Sequence, residues 1–164
     1  MNIVEIIKEL EKFSSTILGL NASVKKEVIF AFERDKKIQL PLDYKTFLQK
    51  YNGITLCGTI IYGLKDISNL YSLEECYQFE HFEVDNPMPL HIVPFSPDGG
   101  GNHYCFDTNS INNTSCPIVF WQHDYMYTAD DTPEIVNSSF VDWIKEVVIE
   151  WTLEDYNYDG TEKE

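Results

Sequence analysis

The stretch that most constrains this chain is Leu40-Pro41-Leu42-Asp43-Tyr44-Lys45-Thr46-Phe47-Leu48-Gln49-Lys50-Tyr51-Asn52-Gly53. Pro41 suits the first turn of a helix, where its missing N–H costs nothing. Tyr44, Phe47, Leu48 and Tyr51 then recur at i, i+3, i+4 and i+7, a single apolar stripe. Asn52-Gly53 supplies the stop, because Gly takes the left-handed conformation that closes a helix. Both ends of one short amphipathic helix are written here. The stripe must be buried, and the helix sits between a helical first third and a strand-rich middle, so it is expected to be the hinge of the fold.

Before it, Ile3, Ile6, Ile7, Leu10, Phe13 and Ile17 hold helical spacing and predict a helix over 3–17, ended by Gly19. Asn21 or Ser23 caps a second helix with Val24, Val28, Ala31 and Phe32 facing inward, and Glu33 and Lys37 form an i,i+4 surface pair.

From Ile54 the pattern changes. Residues 54–63 are β-branched and punctuated by Gly, as in a strand with a bend or bulge. Residues 66–79 are expected to be helical, with Asp66 or Ser68 as cap, and 80–89 an acidic loop. Strands follow at 90–95, 103–108 and 116–122, with a short final one at 126–129. Pro94 places the first of these at a sheet edge or lies near that strand's end. Short turns between them imply antiparallel pairing. Ser139-Phe140-Val141-Asp142 reads as a capping box for a helix that buries Phe140, Trp143, Ile144, Val147, Val148 and Trp151. The fold class is therefore α+β: a mainly antiparallel or mixed sheet of about five or six strands against N-terminal helices and a C-terminal helix. Residues 1–152 form one domain, and 153–164 an acidic, frayed tail.

Charge narrows the function. Residues 1–50 hold nine basic and seven acidic side chains, whereas 51–164 hold three and 20, so the first part is about neutral and the second carries −17. Direct nucleic-acid binding, which depends on Lys and Arg neutralising phosphates, is not expected. A basic protein surface is the natural complement. No apolar run reaches the roughly 18 residues of a membrane helix, and the N-terminus lacks a signal peptide's basic start. A cytoplasmic protein with no membrane partner is expected. Cys57, Cys76, Cys105 and Cys116 show no C-x-x-C pairing and are expected to be buried, reduced thiols.

The pattern L-P-x-x-[YF]-x-x-[FL]-L-x-x-[YH]-N-G at 40–53 resembles the signature of the SUKH superfamily, whose founding domain belongs to a yeast cell-wall assembly regulator. Later stretches follow in that family's order: a glycine-bearing strand, the Gly-rich turn at Asp98–Gly101, Tyr104-Cys105-Phe106-Asp107, Pro117-Ile118-Val119-Phe120-Trp121 and the helix opened by Ser139-Phe140. The chain departs from the pattern in carrying three glycines in that turn and an acidic, Pro-bearing loop at 80–89. The resemblance implies a compact, non-enzymatic domain. Bacterial members look like immunity proteins that bind and neutralise a cognate toxin of a polymorphic or contact-dependent system, often a nuclease with a basic groove. The alternative is a regulatory scaffold for cellular partners, like the yeast relative. Either is expected as a monomer or homodimer, without cofactor.

Among candidate sites, Asp98-Gly99-Gly100-Gly101-Asn102 is followed by a strand rather than a helix, so it reads as a hairpin turn and not a phosphate cradle. Its exposed backbone makes it an interface candidate. Trp121, His123, Asp124, Tyr125 and Tyr127 combine aromatic area with acids just after a strand, as protein interfaces do. The competing expectation for Trp121 is the core. His103, Cys105 and Asp107 share one strand face, yet with His123 they lack the tight ligand pairs of a zinc site, and no metal is expected. Asp107 is expected to accept hydrogen bonds from the turn after it. Glu74, Glu75, Glu80 and Glu83 read as a solvated face, and no nucleophile–base motif is present. Leu40, Pro41, Tyr44, Phe47, Gly53 and Phe140 are expected to be structural.

Overall fold

The computed structural model describes residues 1–65 and 72–164. Helix α1 (Ile3–Leu10) starts in a reciprocal cap: the Asn2 side chain accepts the Glu5 N–H, and the Glu5 carboxylate accepts the Asn2 N–H. It stops near Glu11, short of the expected residue 17. Phe13 is buried in the turn beyond it, and Gly19 lies inside strand β1 (Leu18–Leu20). The apolar period runs on because turn and strand bury the same side as the helix.

Helix α2 (Lys26–Lys36) has no side-chain cap, so neither Asn21 nor Ser23 serves it. Ile29 and Phe32 are its buried residues, with Val28 and Ala31 half-buried. Glu33 does not pair with Lys37, which takes a left-handed C-cap at φ 55°. Its carboxylate instead meets Lys45 Nζ at 3.2 Å and accepts the Leu40 N–H at 2.8 Å. The i,i+4 partner lost to a contact that ties α2 to the next helix.

That helix, α3 (Leu42–Lys50), carries the core. Pro41 is its N-cap, with extended ψ of 144°, rather than its first helical residue. Leu40, Pro41, Tyr44, Phe47 and Leu48 are buried, and Tyr51 is half-buried. The Tyr44 hydroxyl donates to the Tyr62 carbonyl at 2.6 Å, and its ring packs 4.8 Å from Phe106 and 5.4 Å from Phe140. The helix ends at an extended Tyr51, so Gly53, at φ 88°, lies beyond the end it was expected to close, and the Asn-Gly pair serves another contact. Asn52 is fully buried, donates from Nδ2 to the Leu64 carbonyl at 2.8 Å, and accepts the Leu64 N–H at 2.7 Å. Gly63 lies so close that a Cβ there would sit 2.2 Å from the Asn52 carbonyl oxygen.

Residues 54–63 form a hairpin rather than one bent strand: β2 (Ile54–Leu56) and β3 (Thr59–Ile61) pair antiparallel. The turn residues Cys57 and Gly58 both have positive φ, as tight hairpins require. With β1 they make a three-stranded sheet in the order β1-β2-β3. Helix α4 (Leu73–Phe82) follows, capped by Ser72. The expected caps Asp66 and Ser68 lie outside the described residues, and the loop predicted from Glu80 begins only at Glu83.

The second sheet is antiparallel, in the order β4 (Ile92–Pro97), β5 (His103–Asp107), β6 (Ile118–Trp121), β7 (Glu134–Asn137). The last strand lies beyond the predicted 126–129, where Asp131 instead accepts the Thr128 N–H and hydroxyl in a turn. The α+β class holds, but the strands are short and divided between two sheets. Phe95 explains the join. Pairing of β4 with β5 shifts between Pro94 and Ser96, and the Phe95 carbonyl accepts the Tyr62 N–H just past β3 at 2.8 Å. Pro94 sits, as expected, in the strand at the order's end.

Ser139 caps α5 (Phe140–Trp143) by accepting the Asp142 N–H, while the Asp142 carboxylate takes the Ser138 hydroxyl instead of closing the box. The helix continues as a π-helical stretch, Ile144–Glu150, into α6 (Trp151–Asp155). The wider π turn rotates later residues off the 3.6-residue stripe. Trp151, expected inside, is therefore 48% exposed, whereas Phe140, Trp143, Ile144, Val147 and Val148 are buried. Beyond it the tail is bound rather than frayed. Tyr158 packs on Phe13 at 4.6 Å, donates to Glu9 at 2.6 Å, and its carbonyl accepts the Ser14 N–H.

The main core centres on Tyr44, Phe47, Phe95, Phe106, Phe140 and Trp143. A smaller cluster of Met88, Ile92, Cys105, Val119 and Trp121 covers the opposite face of the second sheet. Cys105 and Cys116 are buried and Cys76 half-buried, but Cys57 is exposed at its hairpin turn. No helix among the described residues is long and apolar enough to cross a membrane.

Candidate functional site

Alternation along β5 sends Phe106 into the main core and His103, Cys105 and Asp107 to the other face. Asp107 closes the strand by accepting the Asn109 N–H and the Ser110 hydroxyl, as its position predicted. Over the His103 end lies α4, whose Cys76 and Glu80 are one turn apart. Its place among Glu74, Glu75 and Glu83 predicts a solvated face, yet Glu80 is 6% exposed. It faces inward because Leu73 and Tyr77 dock the helix on the core and carry Glu80 over the sheet. Below the helix the loop after Phe82 is held by His81. Its ring stacks on Tyr77 at 3.8 Å and lies among the carbonyls of Tyr77, Pro89 and Ile92.

The Gly-rich turn and the loop after β6 come together beside this floor. The Asp98 carboxylate accepts the N–H groups of Gly100 and Asn102 and the Asn102 side-chain amide. Asn102 Oδ1, pointed the other way, accepts the His123 N–H at 3.0 Å and lies 2.9 Å from His123 Nδ1. Gly101 is required at that seam, since it has φ 97° and a Cβ would sit 2.9 Å from the His123 ring. The Asn86 amide ties the third wall by donating to the Tyr125 carbonyl at 2.6 Å.

Between these walls is a cleft of about 490 Å³. Phe79, Val84 and Met126 give it apolar walls, Glu80 and His103 lie at its floor, and Asp85, Asp124 and His123 edge it. Among the described residues, no lysine or arginine lines it. Burial pushes the Glu80 carboxyl up, partly offset by His123, and pushes His103 down to about 4. At neutral pH His103 is thus uncharged, and its Nδ1, 3.7 Å from Glu80 Oε1, has no hydrogen-bond partner among the described residues.

Cys76 Sγ lies 3.5 Å from His103 Nε2, a pair that sequence spacing did not reveal. Burial drives Cys76 up to about 12 and His103 down to about 4. This is the reverse of the thiolate–imidazolium polarity that activates a cysteine nucleophile. Among the described residues, no group of three or more His, Cys, Asp or Glu side chains is placed to hold a metal ion.

The sequence-predicted interface residues are thus divided. Gly101, His123 and Asp124 line the cleft, with Asp98, Gly99 and Gly100 in the adjoining turn. Tyr125 is 46% exposed next to them. Trp121 is 2% exposed and belongs to the smaller core, covered by Tyr127 stacked on it at 4.1 Å. Glu80, Phe79 and Met126 were missed. Exposed Phe79 and Met126 carry a signal in being large apolar side chains beside acids, but Glu80 carries none.

Residues 23–146 match the SMI1 / KNR4 family (SUKH-1). The chain is 26% identical, over 98% of its length and 93% of the relative's, to the SPbeta prophage-derived uncharacterized protein YokK of Bacillus subtilis (strain 168). A solved structure of a protein from Pseudomonas syringae pv. tomato superposes with a TM-score of 0.64 at 17% identity. That likeness covers 87% of this chain and 96% of the other and speaks to the fold alone.

Proposed function

The chain belongs to the SMI1 / KNR4 family (SUKH-1), and from that membership we propose that it is a non-enzymatic immunity protein of the cytoplasm. It binds a cognate bacterial toxin domain, of a polymorphic or contact-dependent system, and neutralises it by docking. The observation that carries this reading is the cleft: three carboxylates, apolar walls and, among the described residues, no lysine or arginine, on a chain of net charge −15. Such a surface complements the basic substrate groove of a nuclease, and opposite fields speed the encounter. Asp98, the glycines 99–101, His123, Asp124, Tyr125 and Tyr127 form the contact area around it. Trp121 supports them from beneath.

The test is a pull-down from the native organism, followed by titration of the partner at low and high salt. A toxin C-terminal domain should be recovered, with its activity abolished at equimolar ratio and its on-rate falling as salt rises. Recovery of housekeeping proteins alone, with no activity blocked, would instead favour the scaffold role.

A further inference from the structure

We propose that the cleft seats one cationic side chain, Lys or Arg, of the partner protein, its charged head on the Glu80 carboxylate and its alkyl stem along Phe79 and Met126. The partner's being a basic protein rests on the immunity reading; the cation site itself rests on the cleft.

Three observations converge on it. The Glu80 side chain is 8% exposed, and no described residue donates a hydrogen bond to its carboxylate. The nearest polar contact, His103 Nδ1 at 3.7 Å, is too long for a hydrogen bond and belongs to a side chain 9% exposed that is itself unpartnered there. The carboxylate opens onto the cleft without a protein donor, and a cation seated there supplies a charge-assisted hydrogen bond together with the charge that offsets its partial desolvation. The approach is apolar: Phe79 is 51% and Met126 71% exposed beside the cleft. Lys and Arg are the side chains that lay a hydrocarbon stem on such walls while presenting a charged head. A phosphate would be repelled by Glu80, Asp85 and Asp124, and a hard metal ion would find one carboxylate at the floor where it needs several oxygens.

The test uses the full, ¹⁵N-labelled chain titrated with n-propylguanidinium chloride or n-butylammonium chloride, with n-butanol and sodium chloride as controls. Both cations should shift the amides of Gly101, His123 and Met126 saturably, and the tighter of the two tells whether Arg or Lys is preferred. Glu80→Gln keeps the shape and should weaken binding roughly tenfold, the worth of one charge-assisted hydrogen bond. Asp124 is exposed, so Asp124→Lys leaves the fold intact and should weaken it severalfold by repulsion. Equal shifts from n-butanol, no saturable shift, or unchanged affinity in both variants would overturn the proposal. The two readings fail separately. A toxin neutralised equally by wild type and Glu80→Gln removes the cation site and leaves immunity standing. Cation binding without any toxin partner does the opposite.

Discussion

Asn52→Ala tests the clamp that joins α3 to the segment after β3. The Asn52 amide makes two short bonds to the Leu64 backbone, 2.8 Å and 2.7 Å, and both residues are at most 1% exposed. Truncation removes the side-chain partners of the buried Leu64 N–H and C=O. At roughly 1–3 kcal/mol for each orphaned group, the expected loss is about 4 kcal/mol, a large part of the 5–15 kcal/mol that holds a domain together. Urea titration followed by circular dichroism reads this directly. With a slope near 2 kcal/mol/M, the midpoint should fall by about 2 M at unchanged slope. Asn52→Asp is the control that separates packing from hydrogen bonding. It has the same shape but sets a carboxylate oxygen against the Leu64 carbonyl, so it should be at least as damaging. Loss below about 1 kcal/mol in either variant would refute the clamp.

Three further predictions follow from burial and backbone geometry. Asp43 is 3% exposed, and burial raises its carboxyl to about 6, offset in part by the Tyr44 N–H. The folded state therefore favours the protonated form, and this group's contribution is lost as pH rises from about 4 through 6. Asp43→Asn should gain on wild type across that window, by up to roughly 3 kcal/mol, in urea midpoints taken from pH 4 to 7.5; a pH-independent difference would rule this out. Cys57 holds φ 46° in an exposed turn, and Cys57→Asn should raise stability by about 0.5 kcal/mol, because Asn tolerates the left-handed region better. Deleting residues 156–164 removes the Tyr158–Phe13 ring contact and the Tyr158–Glu9 bond, and should cost roughly 2 kcal/mol in the same assay, whereas a frayed tail would leave the midpoint unmoved.

Much of the fold was legible because its signals are local. The buried stripe of α3, the Asp98 turn, the Asp107 cap and the Ser139 cap each join residues a few positions apart, where side-chain length and backbone geometry leave few alternatives. Errors arose where burial outlasted an element. Phe13 kept the period of α1 although it lies in a turn, and Trp151 kept the stripe that the π-helical stretch had already rotated away. Glu33 shows the related failure: its favourable i,i+4 partner was present, but Lys45 on a neighbouring helix was nearer.

The sequence by itself determined the α+β class, the family signature, the acidic second part and the exposed turn and loop beside the cleft. Only the tertiary structure decided that Glu80, and not its three acidic neighbours along the chain, is buried over the sheet. The same holds for the Asn52–Leu64 clamp across 12 positions and for the contacts that build the site, Asn102 with His123 across 21 and Cys76 with His103 across 27. At such separations spacing no longer determines distance, and the partner is chosen by how helices and sheets pack.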